Sequence, residues 1–418
     1  MRALVTSVRA PHALAILRGL ARRGWTVTAA DTTRFSPGIY SRLASRRLVL
    51  PNLSDAPAKW SAALIAELQA RPYDLLVPGF EDAFMVARLG DRVTANTRVL
   101  GENFRKLMRV RHKPALGELA RQIGASIPET WQPEDVEQLR GVAGDLPYPV
   151  VLKLPAANNS LGLATATDPA SLVKAWRALH KRHGLLHGGM PLIQRRVDGD
   201  QISTLAIAQD GMTLGLVTYE SLLMFPEGGG TAFCRRSLHH PEVEALTAKL
   251  LSHLEWTGFM GLDFIVDART GRPLLIDANP RPTPALQVGL RAGVDFIEII
   301  DAMARGKTAL RRPIAVPGAK TRTLFVYLLW IAFMLVPGRG WRQRLKRVKD
   351  ARRHADADPD FHDAEDKRPS WLMAFYVPFF MLVIEPLRGV RGGYMYGATY
   401  DSRTDEAART ALSSVKPS

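Results

Sequence analysis

Over the first hundred residues the apolar positions alternate between two rhythms. Ala3 to Val8 is a short apolar run, His12 to Arg23 repeats apolar residues at helical spacing and is closed by Gly24, and Thr26 to Ala30 is apolar again. Leu48 to Leu50, a helical stretch near Pro57 to Ala70, and Asp74 to Pro78 repeat the unit. Strand and helix in alternation predict a small doubly wound parallel sheet over residues 1–100. Ligands of such sheets bind beyond the carboxyl ends of the strands, which draws attention to Ser7, Arg9, Asp31 and the turn Pro78-Gly79-Phe80-Glu81. No GxGxxG follows the first strand, so a dinucleotide site is unsupported and Asp31 reads as a solvated strand end.

Beyond residue 100 the pattern becomes mixed. Asn103 to Ile127 reads as one basic helix that contains Lys113 and ends at Gly124. Pro149 to Leu154 is a β-rich apolar run interrupted by Lys153, and a buried lysine calls for an anionic partner. The loop from Ala156 to Gly162 offers Asn158, Asn159, Ser160 and Gly162, whose backbone amides and short polar side chains can wrap a triphosphate. Leu192 and Ile193 end a strand, Gln194 to Val197 can pass beside a flat ring with their backbone groups exposed, and Gly199 turns the chain. Ile202 to Ala208 and Leu214 to Tyr219 form a hairpin around Gln209-Asp210-Gly211. The glycine-rich segment after Phe225 reads as a lid over the substrate, or as a long hairpin tip; behind it Arg235 and Arg236 would bring positive charge to a carboxylate or phosphate. Cys234 has no partner base in the pattern and reads as structural.

The most chemically loaded stretch is Gly261 to Pro282. Leu262, Phe264 and Val266 form one strand, Ala268 to Arg272 turn the chain with Gly271 in a left-handed conformation, and Leu274 to Ile276 return. Such a hairpin can bring Asp263 near Asp277 and Asn279, an oxygen-rich set suited to Mg²⁺, with Mn²⁺ as the alternative, rather than Zn²⁺. Solvated strand ends are the other reading of the same acids.

This stretch resembles the metal-binding hairpin of the ATP-grasp superfamily, in which an acid on one strand is followed about a dozen residues later by Glu-x-Asn-Pro-Arg. The chain reads Asp277-Ala278-Asn279-Pro280-Arg281, with aspartate for glutamate. The resemblance extends over about residues 100–310, and its motifs occur in family order. It implies that Lys113, ahead of GASIP at Gly124 to Pro128, and Lys153 reach ATP phosphates, and that the loop through Gly162 is the phosphate loop, although it carries one glycine where the family has two or three. It implies that Gln194, Arg196 and Val197 lie against adenine, Arg195 standing where glutamate is common, and that Asp200 holds the ribose. The N-terminal layout resembles the small domain that precedes an ATP-grasp fold, which makes Arg9 and Glu81 candidates for substrate contacts. The implied fold is therefore an N-terminal doubly wound α/β domain (1–100), an ATP-grasp domain of two α+β lobes (101–310) and a C-terminal region (311–418). The implied activity is ATP-dependent ligation of a carboxylate to an amine, with Arg281 and Lys153 catalytic; small-molecule phosphorylation or carboxylation, and non-catalytic ATP binding, are the alternatives.

Composition changes the picture mainly at the C-terminal end. The 418 residues carry a formal net charge of +16 and 46% hydrophobic residues, enough for real cores and a preference for anionic company. One cysteine excludes an intrachain disulfide framework and a Cys-rich zinc site, in keeping with a reducing, cytoplasmic setting. The N-terminus lacks a signal-peptide pattern and reads as structure. Much of the charge is local: Arg339 to Arg353 holds eight basic residues and one acid. Its helical pattern places Trp341, Leu345 and Val348 on one face, between the apolar stretches Leu324 to Val336 and Trp371 to Ile384. The first stretch has thirteen residues, short of the roughly twenty that span a bilayer. Peripheral binding to an anionic membrane surface is the expectation, with an acylated or lipid-linked substrate; packing of both stretches against the catalytic domain is the alternative, and nucleic acid is disfavoured.

Overall fold

The structure is a computed structural model that describes residues 1–95, 97–156, 162–183, 189–225, 231–307, 314–335, 340–380, 395, 397–401 and 404–406. Five parallel strands form the N-terminal sheet in the order Arg46–Val49, Thr26–Asp31, Arg2–Val5, Leu75–Val77, Arg98–Val99. Its central strand is apolar without alternation because both faces are covered: Ala3 and Val5 pack with the helix Pro11–Arg22, and Leu4 packs on the other side with Trp60, Leu64 and Leu68 of Pro57–Ala70. The doubly wound domain expected from residues 1–100 is present.

Two further sheets follow. A four-stranded antiparallel sheet, ordered Thr130–Trp131, Leu192–Arg195, Val150–Lys153, Leu163–Ala166, has its own small core around Leu139, Leu152, Trp176 and Ile193. A seven-stranded sheet runs Pro273–Asn279, Gly258–Asp267, Gly199–Gln209, Met212–Phe225, Thr231–Leu238, Lys320–Arg322, Asp358–Pro359. Both expected hairpins are formed, and Asp210 with φ 48° and Gly211 with φ 80° make the tight turn of the first. Gly271, at φ 69°, turns the second.

Two expectations need correction. The basic helix over 103–127 is two helices, Phe104–Arg111 and Lys113–Gln122, separated by an extended His112. Pro114 is the cause: it cannot donate to the carbonyl four residues back and its ring crowds the preceding turn, so a new helix starts with Lys113 at its first position. Asp31 is not a solvated strand end. It is 1% exposed and takes hydrogen bonds from the Arg9 backbone N–H at 2.8 Å, the Arg9 guanidinium and the Ser36 hydroxyl at 2.6 Å. The region after residue 311 supplies the last two strands of the large sheet.

Gly199, at the start of its strand, pairs with Asp267, and a Cβ there would stand 1.9 Å from the Val266 carbonyl oxygen. Gly199→Ala is expected to lower unfolding stability by about 1–3 kcal/mol through forced backbone displacement. An unchanged midpoint in urea denaturation would contradict this register.

Candidate functional site

The antiparallel register of Gly258–Asp267 with Pro273–Asn279 sets Asp263 directly across from Asp277 and Gly261 across from Asn279. A bulge follows at Asp263/Phe264, so the polar end and the apolar end of the hairpin are out of step by one residue. Asp263 accepts from the Ser203 hydroxyl at 2.6 Å and from the Asn279 amide at 3.3 Å. Burial, then the neighbouring Asp277, pushes the Asp263 carboxyl up to about 6. The Lys113 ammonium lies 3.4 Å from Asp277, anchored by its backbone N–H to the Pro155 carbonyl at 2.9 Å.

Lys153 projects from the four-stranded sheet towards the same acids. Burial, then the charge of Lys113, pulls it down to about 8, while Asp277 and Asp263 act in the opposite sense. Arg281 is 6% exposed and lies over the Phe80 ring at 4.2 Å, its guanidinium donating to Asn279 at 3.4 Å and to the Pro282 carbonyl at 3.3 Å. Burial lowers its affinity for the proton, while Glu81, Asp277 and Asp263 favour its charge. Its Nε is buried without a hydrogen-bond partner, as are Arg111 Nη1 and His12 Nδ1. His12 Nε2 lies 2.7 Å from the Gly79 carbonyl, which only accepts, so Nε2 carries the proton and Nδ1 the lone pair. Burial, then Arg281, pushes His12 down to about 3, which keeps it neutral.

Between the sheets lies a cavity of about 230 Å³ bordered by Lys113, Thr130, Leu192, Gln194, Leu275 and Ile276. The Gln194 amide donates to the Thr130 hydroxyl at 3.1 Å, which leaves its buried Oε1 as an unpartnered acceptor. Val197 is 8% exposed. Arg196 is exposed and lies 3.5 Å from Asp198, and Asp200 is exposed opposite Val266. Gly162, at φ 80°, packs so closely that a Cβ would meet Leu154 at 2.4 Å. Asn158, Asn159, Ser160 and the glycine-rich tip 226–230 lie outside the described residues.

The substrate candidates fall in different surroundings. Arg9 is buried against Asp31 and also donates to the Tyr376 hydroxyl at 3.4 Å. Glu81 accepts from the Tyr400 N–H at 2.8 Å and lies 3.7 Å from Arg111, whose guanidinium donates to the Tyr400 carbonyl at 2.8 Å. Arg235 is 3% exposed and 3.3 Å from Asp360, whereas Arg236 is half-exposed beside Glu220 at 2.6 Å. Burial pushes the Cys234 thiol up to about 11, in line with its structural reading. Sequence reasoning missed Arg111, His12 and Ser203, which are recruited by packing; Phe80 lies in the strand-end turn that the sequence pointed to.

A family model described as an ATP-grasp domain matches residues 164–285, and the fold agrees with solved structures of that class. This chain has the ATP-grasp fold. It is similar to the biotin carboxylase domain of the 2-oxoglutarate carboxylase of Hydrogenobacter thermophilus, solved with MgADP, ADP and bicarbonate: TM-score 0.64, 16% identity, 76% of this chain and 73% of that one covered. It is similar to an L-amino acid ligase from Bacillus licheniformis, with TM-score 0.57, 15% identity and 74% of each chain covered. A third similarity is to N5-carboxyaminoimidazole synthetase from Staphylococcus aureus, with TM-score 0.61, 12% identity, 79% of this chain and 84% of that one. No curated protein matches the chain by sequence.

Within this ATP-grasp fold the carboxylates of Asp263 and Asp277 face each other, with the Asn279 amide nitrogen on Asp263 and its amide oxygen turned to Arg281. Among the described residues no group of three or more His, Cys, Asp or Glu side chains is assembled for a metal. The depressed proton affinity of Lys153 carries a stability consequence. The unfolded lysine binds its proton up to about pH 10.5, and the folded one only up to about 8. Folding is thus penalised as pH falls from about 10.5 to 8, and fully penalised below. Lys153→Met is expected to raise stability at neutral pH by up to about 3 kcal/mol, and to flatten the pH dependence between 8 and 10.5. Equal stability of both proteins across that window, measured by chemical denaturation, would contradict the burial assigned to this ammonium.

Proposed function

We propose that the protein is an ATP-dependent ligase that joins a carboxylate to an amine through an acyl phosphate. The observation that carries this reading is the strand register that opposes Asp263 and Asp277, with Lys113 3.4 Å from the latter and Arg281 two residues beyond Asn279. Asp263, Asp277 and Asn279 would hold Mg²⁺ or Mn²⁺, which when bound screens phosphate oxygens and polarises the γ-phosphorus. Lys113 and Lys153 neutralise the remaining phosphate charge, and the anion in turn raises the proton affinity that burial took from Lys153. Gln194 borders the cavity that would take the purine ring, and the backbone through Val197 continues from it. The substrate carboxylate oxygen attacks the γ-phosphorus and ADP departs; the amine nitrogen then attacks the acyl carbon and phosphate leaves. Arg281, held by Phe80 and Asn279, offers Nε and its fixed charge to the acyl phosphate and to the oxyanion that follows.

A carboxylase reading is favoured by one observation, the similarity to a biotin carboxylase domain solved with bicarbonate. Bicarbonate is activated by the same attack on phosphorus, so the two readings share the site and differ in the acid. A cytoplasmic, membrane-peripheral position with an acylated or lipid-linked carboxylate belongs to the proposal, supported by the basic and aromatic helices after residue 320.

ADP and phosphate release across a panel of carboxylates, bicarbonate and amines tests the reading. One carboxylate and amine pair is expected to accelerate ATP cleavage and yield a new amide; release with bicarbonate alone would favour carboxylation, and tight ATP binding with no turnover would favour a binding protein. Asp277→Ala is expected to reduce turnover by at least about a thousandfold with the fold retained by circular dichroism. Near wild-type activity in that variant would sink the metal assignment.

A further inference from the structure

Half of the large apolar side chains exposed among the described residues lie on three helices, Leu324–Leu335, Trp341–Ala351 and Arg368–Phe379. On the last of these, Trp371, Phe375 and Phe379 recur at steps of four, which sets them along one face, with exposures of 69%, 73% and 55%. The opposite face is committed to the protein: Met373, Tyr376 and Val377 pack with Leu14 and Phe361. Leu324–Leu335 behaves alike, with Tyr327, Trp330 and Met334 packed against Phe233 and Val348 while Phe333 faces solvent. A helix that is apolar all round is ordinarily buried all round. Here packing against the body covers one side only, so each apolar helix leaves a second side to be covered.

Charge selects the occupant. The intervening helix carries Arg342, Arg344, Lys346, Arg347 and Lys349, and it shares its surface with the exposed rings: the Arg342 guanidinium stands 5.7 Å from the Trp341 ring, and that of Arg344 5.8 Å from the Phe333 ring. A second copy of this chain would bring two such basic helices together, which is repulsive, whereas an anionic headgroup layer attracts the positive charge and accommodates the exposed rings. None of the helices among the described residues is long and apolar enough to cross a membrane. The twelve residues of Arg368–Phe379 extend about 18 Å, against roughly 30 Å of bilayer hydrocarbon.

We propose that this three-helix face docks on an anionic bilayer, with Trp371, Phe375 and Phe379 entering the headgroup layer and the basic helix contacting lipid phosphates. This deepens and rests on the peripheral position proposed above, and it is independent of the ligation chemistry. The Met373 and Tyr376 side holds the face rigidly to the N-terminal domain, Tyr376 accepting from Arg9 at 3.4 Å. The membrane is therefore met by a preformed surface.

The test is flotation of the full-length protein with vesicles of phosphatidylcholine alone or with 30% phosphatidylglycerol (about a third anionic lipid, a composition at which surface charge attracts basic segments). The triple variant Trp371→Glu, Phe375→Glu, Phe379→Glu changes exposed positions only; a second variant replaces the five basic residues by glutamine. Binding to the anionic vesicles is expected, with at least a tenfold loss in each variant and a loss for the wild type at high salt. Wild-type flotation of the triple variant, or no flotation of the wild type, overturns the proposal. A concentration-dependent dimer that the triple variant dissociates overturns it too, and assigns the face to a second copy. ATP cleavage is followed in parallel: no flotation of the wild type with retained turnover defeats the docking alone, and wild-type flotation without turnover in any substrate pair defeats the ligase reading alone.

Discussion

Two carboxylates held face to face across one antiparallel register are the constraint on which the site depends. Asp263 and Asp277 are placed by main-chain pairing, so neither can relax away from the other without breaking the sheet. The repulsion and burial that raise Asp263 to about 6 are answered from three directions, by Lys113 from a helix start, Lys153 from the other sheet and Arg281 from the end of the same hairpin. Each cation is itself disfavoured or held by its surroundings. The result is a set of charges that balance only together.

The region after residue 311 is not an appendage to this arrangement. Asp360 sits at 3.3 Å from Arg235, Tyr376 meets Arg9, and the backbone of Tyr400 engages both Glu81 and Arg111, the latter stacked 4.4 Å above Phe84. Polar groups of the N-terminal sheet and of the large sheet are thus fixed by partners at least 125 residues away in sequence. Burying such groups costs free energy unless they are paired, and the C-terminal segments supply the pairs. Arg281 Nε, Arg111 Nη1 and His12 Nδ1 are among the buried polar atoms left without a hydrogen bond.

Identity of 12–16% to the solved ATP-grasp structures leaves the fold as the shared property. The N-terminal sheet here brings Phe80 beneath Arg281 and leaves a neutral histidine behind it, features tied to this chain's own packing.

The sequence by itself determined the parts that local physics controls. Alternating apolar residues set both hairpins, Gly271 and Asp210-Gly211 set their turns, and the period change near residue 100 separated the parallel sheet from the mixed domain. Lys153 stood out because a cation in an apolar strand is costly, and the two aspartates because their spacing around a turn lets them meet. Tertiary structure decided what depends on distant partners. Pro114 splits a helix that composition alone would continue. Asp31 is buried because Arg9 is there to pair with it, and Arg235 turns inward because Asp360, 125 residues later, receives it. The apolar helices at residues 324–379 are half packed and half exposed, a division that no periodicity reveals when both faces are apolar and only contact with the rest of the chain selects the buried one.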